Sequence, residues 1–235
     1  MTHGTSAMWK RLAIAVAFGI AFGYIESAVV VYLRAIFYAK GFNFPLEVFD
    51  VTTTGRRLLF TEVGREVATL VLMLTAARLF GRTRWERLAW FLVIFAVWDV
   101  FYYVWLKVLL DWPASLTTWD ILFLIPAIWA APVLYPVLVS LAMFAFATAI
   151  LYRAAQGRPP AATWYDGLGW LAGILIIVVA FCLGGTHVTQ PDYAEYFYWP
   201  LFAVGYLLGI IPCLACLRRT SAGKYERVSA ALDAK

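Results

Sequence analysis

The stretch Trp98–Asp120, WDVFYYVWLKVLLDWPASLTTWD, sets a carboxylate, Asp99, in the middle of a long apolar run. A charge at that depth is costly in lipid, so such groups face a bundle interior or a wet cavity. Asp120 opens the next apolar run, and Glu26, Glu62 and Glu66 lie in or at the ends of others. All five are expected to meet on one side of a helical membrane bundle.

Composition sets that class. The chain has 235 residues, 63% hydrophobic and only 14% charged, against about 25% charged in a soluble domain. Its charges fall in short clusters between apolar runs long enough to cross a bilayer, which takes roughly 20 residues. The alternating pattern of a transmembrane barrel is absent. The fold class is therefore all-α, a polytopic integral membrane bundle. The net charge of +5 calls for no nucleic-acid partner, because cytoplasmic loops collect Lys and Arg.

About six spans are expected in a single transmembrane domain over 1–235: 12–33, 62–80, 88–110, 120–152, 167–185 and 197–217. The tail 218–235 follows them. One set of loops holds Lys10, Arg11, Arg78, Arg82, Arg84, Arg87, Arg153, Arg158, Arg218 and Arg219. The loops after the third and fifth spans hold Asp111, Asp192 and Glu195, with no Lys or Arg. The asymmetry puts both termini in the cytoplasm of a bacterial-type inner membrane.

One loop departs from this rule. Between the first two spans lie Lys40, Arg56 and Arg57, with Arg34 and Arg65 at the edges. They either pair with Glu47, Asp50, Glu62 or lipid headgroups, or bind a substrate phosphate or carboxylate. The run Thr52–Gly55 leads into a helix N-terminus, where free amides favour an anion. The apolar Gly41–Phe60 lies along the outer membrane surface or tucks into the bundle mouth.

Within the spans, Gly19, Gly23 and Ser27 repeat at four-residue spacing, which lets another helix approach closely. Gly169 and Gly173 make the same pattern in the fifth span, Gly205 and Gly209 in the sixth. Met1–Met8 reads as a polar tail. Glu62, Arg65 and Glu66 share one helix face; this is a charge ladder or a pair of ligands. Asp99, Tyr103 and Lys107 form a polar stripe joined by Tyr102, in which a tyrosine could relay a proton to a carboxylate. Trp112 and Trp119 fit an interfacial aromatic belt.

The fourth span would measure about 49 Å as a continuous helix, too long for a hydrocarbon core of roughly 30 Å. Pro126, Pro132 and Pro136 break it, freeing carbonyls that are tolerated where they line a cavity. Cys213 and Cys216 sit at a cytoplasmic helix end without a second pair, so packing is the better account than zinc.

Glu26, Glu66, Asp99, Tyr103 and Asp120 are the candidates for chemistry. Arg34, Arg56, Arg57, Arg65, Tyr102 and Lys107 are those for substrate binding, and Glu62, Glu66, Asp99 and His187 those for a metal. The cofactor is unknown; oxygen ligands favour a divalent cation such as Mg, Mn or Ca. Partners are membrane lipids, with a homo-oligomer or other membrane subunits open. The leading expectation is an enzyme acting on a lipid-soluble, isoprenoid or phospholipid-like substrate. A proton- or cation-coupled transporter and a non-catalytic subunit of a larger, respiratory-type complex are the alternatives.

Overall fold

Apolar runs become helices in lipid because backbone N–H and C=O groups must pair within the segment. Among the described residues six α-helices form: α1 (His3–Phe37), α2 (Thr53–Phe80), α3 (Arg84–Leu110), α4 (Leu134–Ala155), α5 (Trp164–Gly185) and α6 (Trp199–Arg218). All but α2 are long and apolar enough to cross a membrane. This computed structural model describes residues 3–38, 41–47 and 53–219. Lys40, Asp50, Thr52 and the tail beyond Arg219 lie outside the described residues.

Local chemistry sets several helix ends. The Thr83 side chain accepts from the Glu86 amide at 3.2 Å and caps α3, and Asp111 closes that helix in the left-handed region (φ 52°). Thr163 and Asp166 cap each other's backbones at the start of α5. Two starts differ from expectation. The presumed tail Met1–Met8 is helical from His3, and α2 begins at Thr53, not Glu62, which extends α2 through Arg56 and Arg57.

The larger correction concerns the fourth span. In place of a proline-broken helix over 120–152, the segment 119–132 is an antiparallel hairpin, β1 (Trp119–Phe123) with β2 (Trp129–Pro132). Asp120 pairs with Ala131 and Trp119 with Pro132. Pro126 and Pro132 lack the N–H that a helix interior needs, and each disfavours the helical region for the residue before it. Pro136 is tolerated because it falls in the first turn of α4, where its missing N–H would have had no partner. The helix that remains has 22 residues, or about 33 Å, which fits a bilayer.

Small residues set the helix contacts. A Cβ on Gly19 would lie 2.8 Å from the Val97 side chain, and one on Gly23 would lie 3.0 Å from the Trp98 carbonyl. In the same seam Ser27 donates to the Tyr102 carbonyl at 3.0 Å, so α1 lies directly on α3. Gly173 meets the Gly205 carbonyl and Gly209 in the same way, joining α5 to α6. Both seams lie where the four-residue spacing put them.

The packed helices α1 and α3 run in the same direction, whereas α5 and α6 run in opposite ones. At one end Arg219 of α6's C-terminus bonds Asp166 of α5's start at 2.5 Å and 2.9 Å. Arg11 of α1 lies over the Trp90 ring of α3 at that end too. At the other end the hairpin is seated on Gly184 and Gly185 of α5, against Phe181, Phe197 and Phe202. Between the ends a dry cluster that includes Ala15, Met73, Trp90, Val93, Ile94 and Ile150 closes the bundle, each 0–1% exposed.

Candidate functional site

A cavity of about 440 Å³ opens at the hairpin end, walled by α1, α2, α3 and β1. Each helix gives it one stripe. Glu26, Val30, Leu33 and Phe37 come from α1, and Leu58, Glu62, Arg65, Glu66 and Thr69 from α2. Spacings of three and four keep each set on one face. Trp98, Asp99, Tyr102 and Tyr103 come from α3, and Asp120 to Leu124 from the hairpin. All five singled-out carboxylates therefore line one hollow, in company with Arg34, Arg56 and Arg65.

Among the described residues α1 and α2 scarcely approach each other; α2 rests on α3 instead. The cavity fills the gap, and a charge pair bridges it. Arg65 reaches Glu26 on α1 and holds Glu62 of its own helix at 2.7 Å. Glu66 is held differently: its two oxygens accept the Leu124 amide at 3.0 Å and 3.1 Å. The three glutamates are thus engaged by the protein.

Asp99 lies near the floor and accepts from Ser140 of α4 at 2.8 Å. Asp120 is 2% exposed. It accepts from Tyr102 and from Arg34, each at 3.3 Å, and Tyr103 faces it as well. Burial pushes the Asp120 carboxyl up to about 7, against the pull of Arg34, the Ile121 amide and the two tyrosines. A carboxyl titrating there can take or give a proton at neutral pH.

Arg34 is itself 9% exposed. Its guanidinium carbon lies 4.1 Å from the Phe42 ring centroid and 3.8 Å from that of Trp112. The buried Nε of Arg34 and the buried indole N–H of Trp98, another wall residue, have no hydrogen-bond partner among the described residues.

Three expected members lie elsewhere. Lys107 is half exposed and pairs with Asp111 at 2.7 Å, which holds the Asp111 carboxyl below its usual value. Eight residues at about 100° each carry Lys107 some 80° around the helix from Asp99, so the stripe leaves the cavity before reaching it. Arg57 is exposed and outside the lining, one position from Arg56, which lines it. His187 bonds Thr186 at 2.7 Å and stacks on Tyr196 at 3.5 Å between centroids. It follows α5, which meets the hairpin through β2, whereas β1 faces the cavity.

The metal set Glu62, Glu66, Asp99 and His187 is therefore not assembled. Among the described residues no three of His, Cys, Asp and Glu are placed to share an ion. Trp112 packs onto Arg34 and Trp119 against Tyr193 and Phe197. Cys213 accepts from the Trp170 indole at 3.2 Å, as a packing residue would.

Sequence reasoning missed Ser140, Thr69 and the Leu124 amide. Only the position of Ser140 in an apolar run, a polar group needing a partner at depth, could have pointed to it. No known protein family, curated protein or solved structure matches the chain.

Proposed function

We propose that the chain is a multi-pass membrane enzyme that admits an amphiphile into this cavity and performs acid–base chemistry on its polar end. It crosses a bacterial-type inner membrane six times, with both termini cytoplasmic and the cavity opening towards the periplasmic face. In this topology α2 is the sixth crossing: Glu62, Arg65, Glu66 and Thr69 all face the cavity, leaving Val67, Val71, Leu72 and Leu74, each about half exposed, to meet lipid.

The observation that carries the reading is the convergence of polar groups in one apolar cavity. Its walls are mostly apolar, Asp99, Asp120, Tyr102 and Tyr103 meet in it, and the gap between α1 and α2 runs alongside. A largely apolar pocket with a few convergent polar groups is the usual form of a small-molecule site. Towards the other end lies the apolar cluster around Met73, Trp90 and Ile94, which favours chemistry over conduction. Asp120 and Asp99 are the proton carriers in this reading, and the tyrosines orient the reacting group.

The test is turnover in lipid nanodiscs. Protein is incubated with phospholipids and isoprenoid phosphates and the products are identified by mass spectrometry. Conversion is expected for the native chain and lost in Asp99→Asn and Asp120→Asn variants that keep their unfolding midpoints. Conversion unchanged in both variants would sink the proposal.

A further inference from the structure

We propose that the mouth of the cavity is an oxyanion site in which Arg34, assisted by Arg56, holds the phosphate or carboxylate head of an amphiphile. Its chain would leave between α1 and α2. This rests on the reading of the cavity as an amphiphile site and names the head group it takes.

The first argument is how Arg34 is held. Phe42 and Trp112 lie close to its guanidinium, at 4.1 Å and 3.8 Å from ring centroid to carbon. Aromatic contact at that range fixes an arginine while leaving its edge of donors free for a planar or tetrahedral oxyanion. Among the described residues its carboxylate contact, to Asp120, is 3.3 Å, long for a charge-assisted bond, which normally measures about 2.7–2.9 Å. Its Nε is buried and without a partner among the described residues. Buried donors are nearly always satisfied, and this one lies in a cavity wall.

The second argument is charge. By count the cavity holds more carboxylates than arginines, which would favour a cationic guest. Three of these carboxylates are already engaged: Arg65 pairs with Glu26 and Glu62 and offsets one of their two charges, and the Leu124 amide hydrogen-bonds both oxygens of Glu66. Among the described residues Asp120 is the carboxylate in contact with Arg34, and burial pushes its carboxyl up to about 7, which weakens its claim on the arginine. Arg56 lies on α2, exposed and lining the same hollow. Gly55 beside it belongs to the first turn of α2, where the helix dipole favours negative charge.

The third argument is the wall. Val30, Leu33 and Phe37 of α1 face Leu58 and Leu59 of α2 across the cavity, and Leu59 is 52% exposed. An apolar chain between them would pass from the head-group site to the surface without crossing a charge.

The experiment measures equilibrium binding of labelled farnesyl phosphate, farnesol and inorganic phosphate to the full chain in phosphatidylcholine nanodiscs, with empty discs as the partition blank. Farnesyl phosphate is expected to bind tenfold or more tightly than farnesol, on the order of one to two charge-assisted hydrogen bonds. Arg34→Gln should abolish that preference, Arg34→Lys should restore part of it, and Arg57→Gln should leave it intact. Arg56→Gln, at the exposed rim, should weaken it severalfold and carries the test if Arg34→Gln unfolds.

Equal binding of farnesol and its phosphate would overturn the site, as would a preference that survives both Arg34→Gln and Arg56→Gln. Inorganic phosphate bound as tightly as farnesyl phosphate would make the occupant a free oxyanion and overturn the role of the chain. A native chain that shows the preference but no turnover overturns the enzyme reading alone. A native chain that shows turnover but no preference overturns the head-group site alone.

Discussion

Arg65 of α2 bonds Glu26 of α1 across the cavity. Among the described residues these two helices otherwise scarcely approach each other, so this pair is the chief tie between them. Glu62 shares the guanidinium at 2.7 Å.

Removing Arg65 therefore leaves two mostly buried carboxylates uncompensated. Arg65→Met is expected to destabilise the protein by about 3 kcal/mol, the low end for breaking a buried pair. Glu26→Gln, which can still accept a hydrogen bond, should cost less. Thermal unfolding in detergent measures both, and equal midpoints for native protein and Arg65→Met would refute the bridging role.

Gly173 marks a close backbone approach of α5 to α6: a Cβ there would lie 2.8 Å from both the Gly205 carbonyl oxygen and the Gly209 amide nitrogen. Backbone cannot give way as a side chain can. Gly173→Ala is expected to cost about 1–3 kcal/mol, as overpacking does. Gly209→Ala, whose Cβ meets nothing within 4 Å, should be close to neutral. Chemical unfolding of the two variants side by side is the check.

Gly184 and Gly185 form the seat of the hairpin, against the Ala130 and Ile128 carbonyls. Gly184→Ala should lift the hairpin and, with it, Asp120 and the Leu124 amide. Crosslinking between cysteines placed at Glu66 and Leu124 is expected to fall in that background while the α5–α6 contact persists. Undiminished crosslinking would show that the hairpin is held by other means.

Asp120 predicts a pH dependence with a definite sign. Its carboxyl titrates at about 7 in the folded chain, against an ordinary value of about 3.9. Between those values the folded state holds a proton that the unfolded state has released, so stability falls as pH rises from about 4 to 7 and then levels. Arg34, Tyr102 and Tyr103 face this group. Asp120→Asn removes the titration. The difference between the two unfolding profiles should grow across that window, by at most roughly 4 kcal/mol, and a constant difference would contradict it.

Much of the site was legible because burial of charge in lipid is so costly. Glu26, Glu62, Glu66, Asp99 and Asp120 stand out in apolar runs, and a carboxylate in such a run has few places to face other than a shared interior. The glycine seams were legible too, since Gly19, Gly23 and Ser27 fall on one helix face whatever the partner. Both inferences use periodicity within a single segment. Where the stripe had to run two turns, from Asp99 to Lys107, accumulated rotation carried it away from the hollow.

What the amino-acid string determined by itself is the membrane class and most of the helical runs, because these depend on local hydropathy and helix pitch. Only the tertiary structure decided which groups answer one another. Ser140 meets Asp99, the Leu124 amide meets Glu66, and Phe42 and Trp112 close on Arg34, all between segments far apart along the chain. It also decided that 119–132 folds as a hairpin rather than a kinked helix. A proline can forbid a helix locally, but strand pairing needs a partner segment and a seat, and α5 supplies that seat through packing.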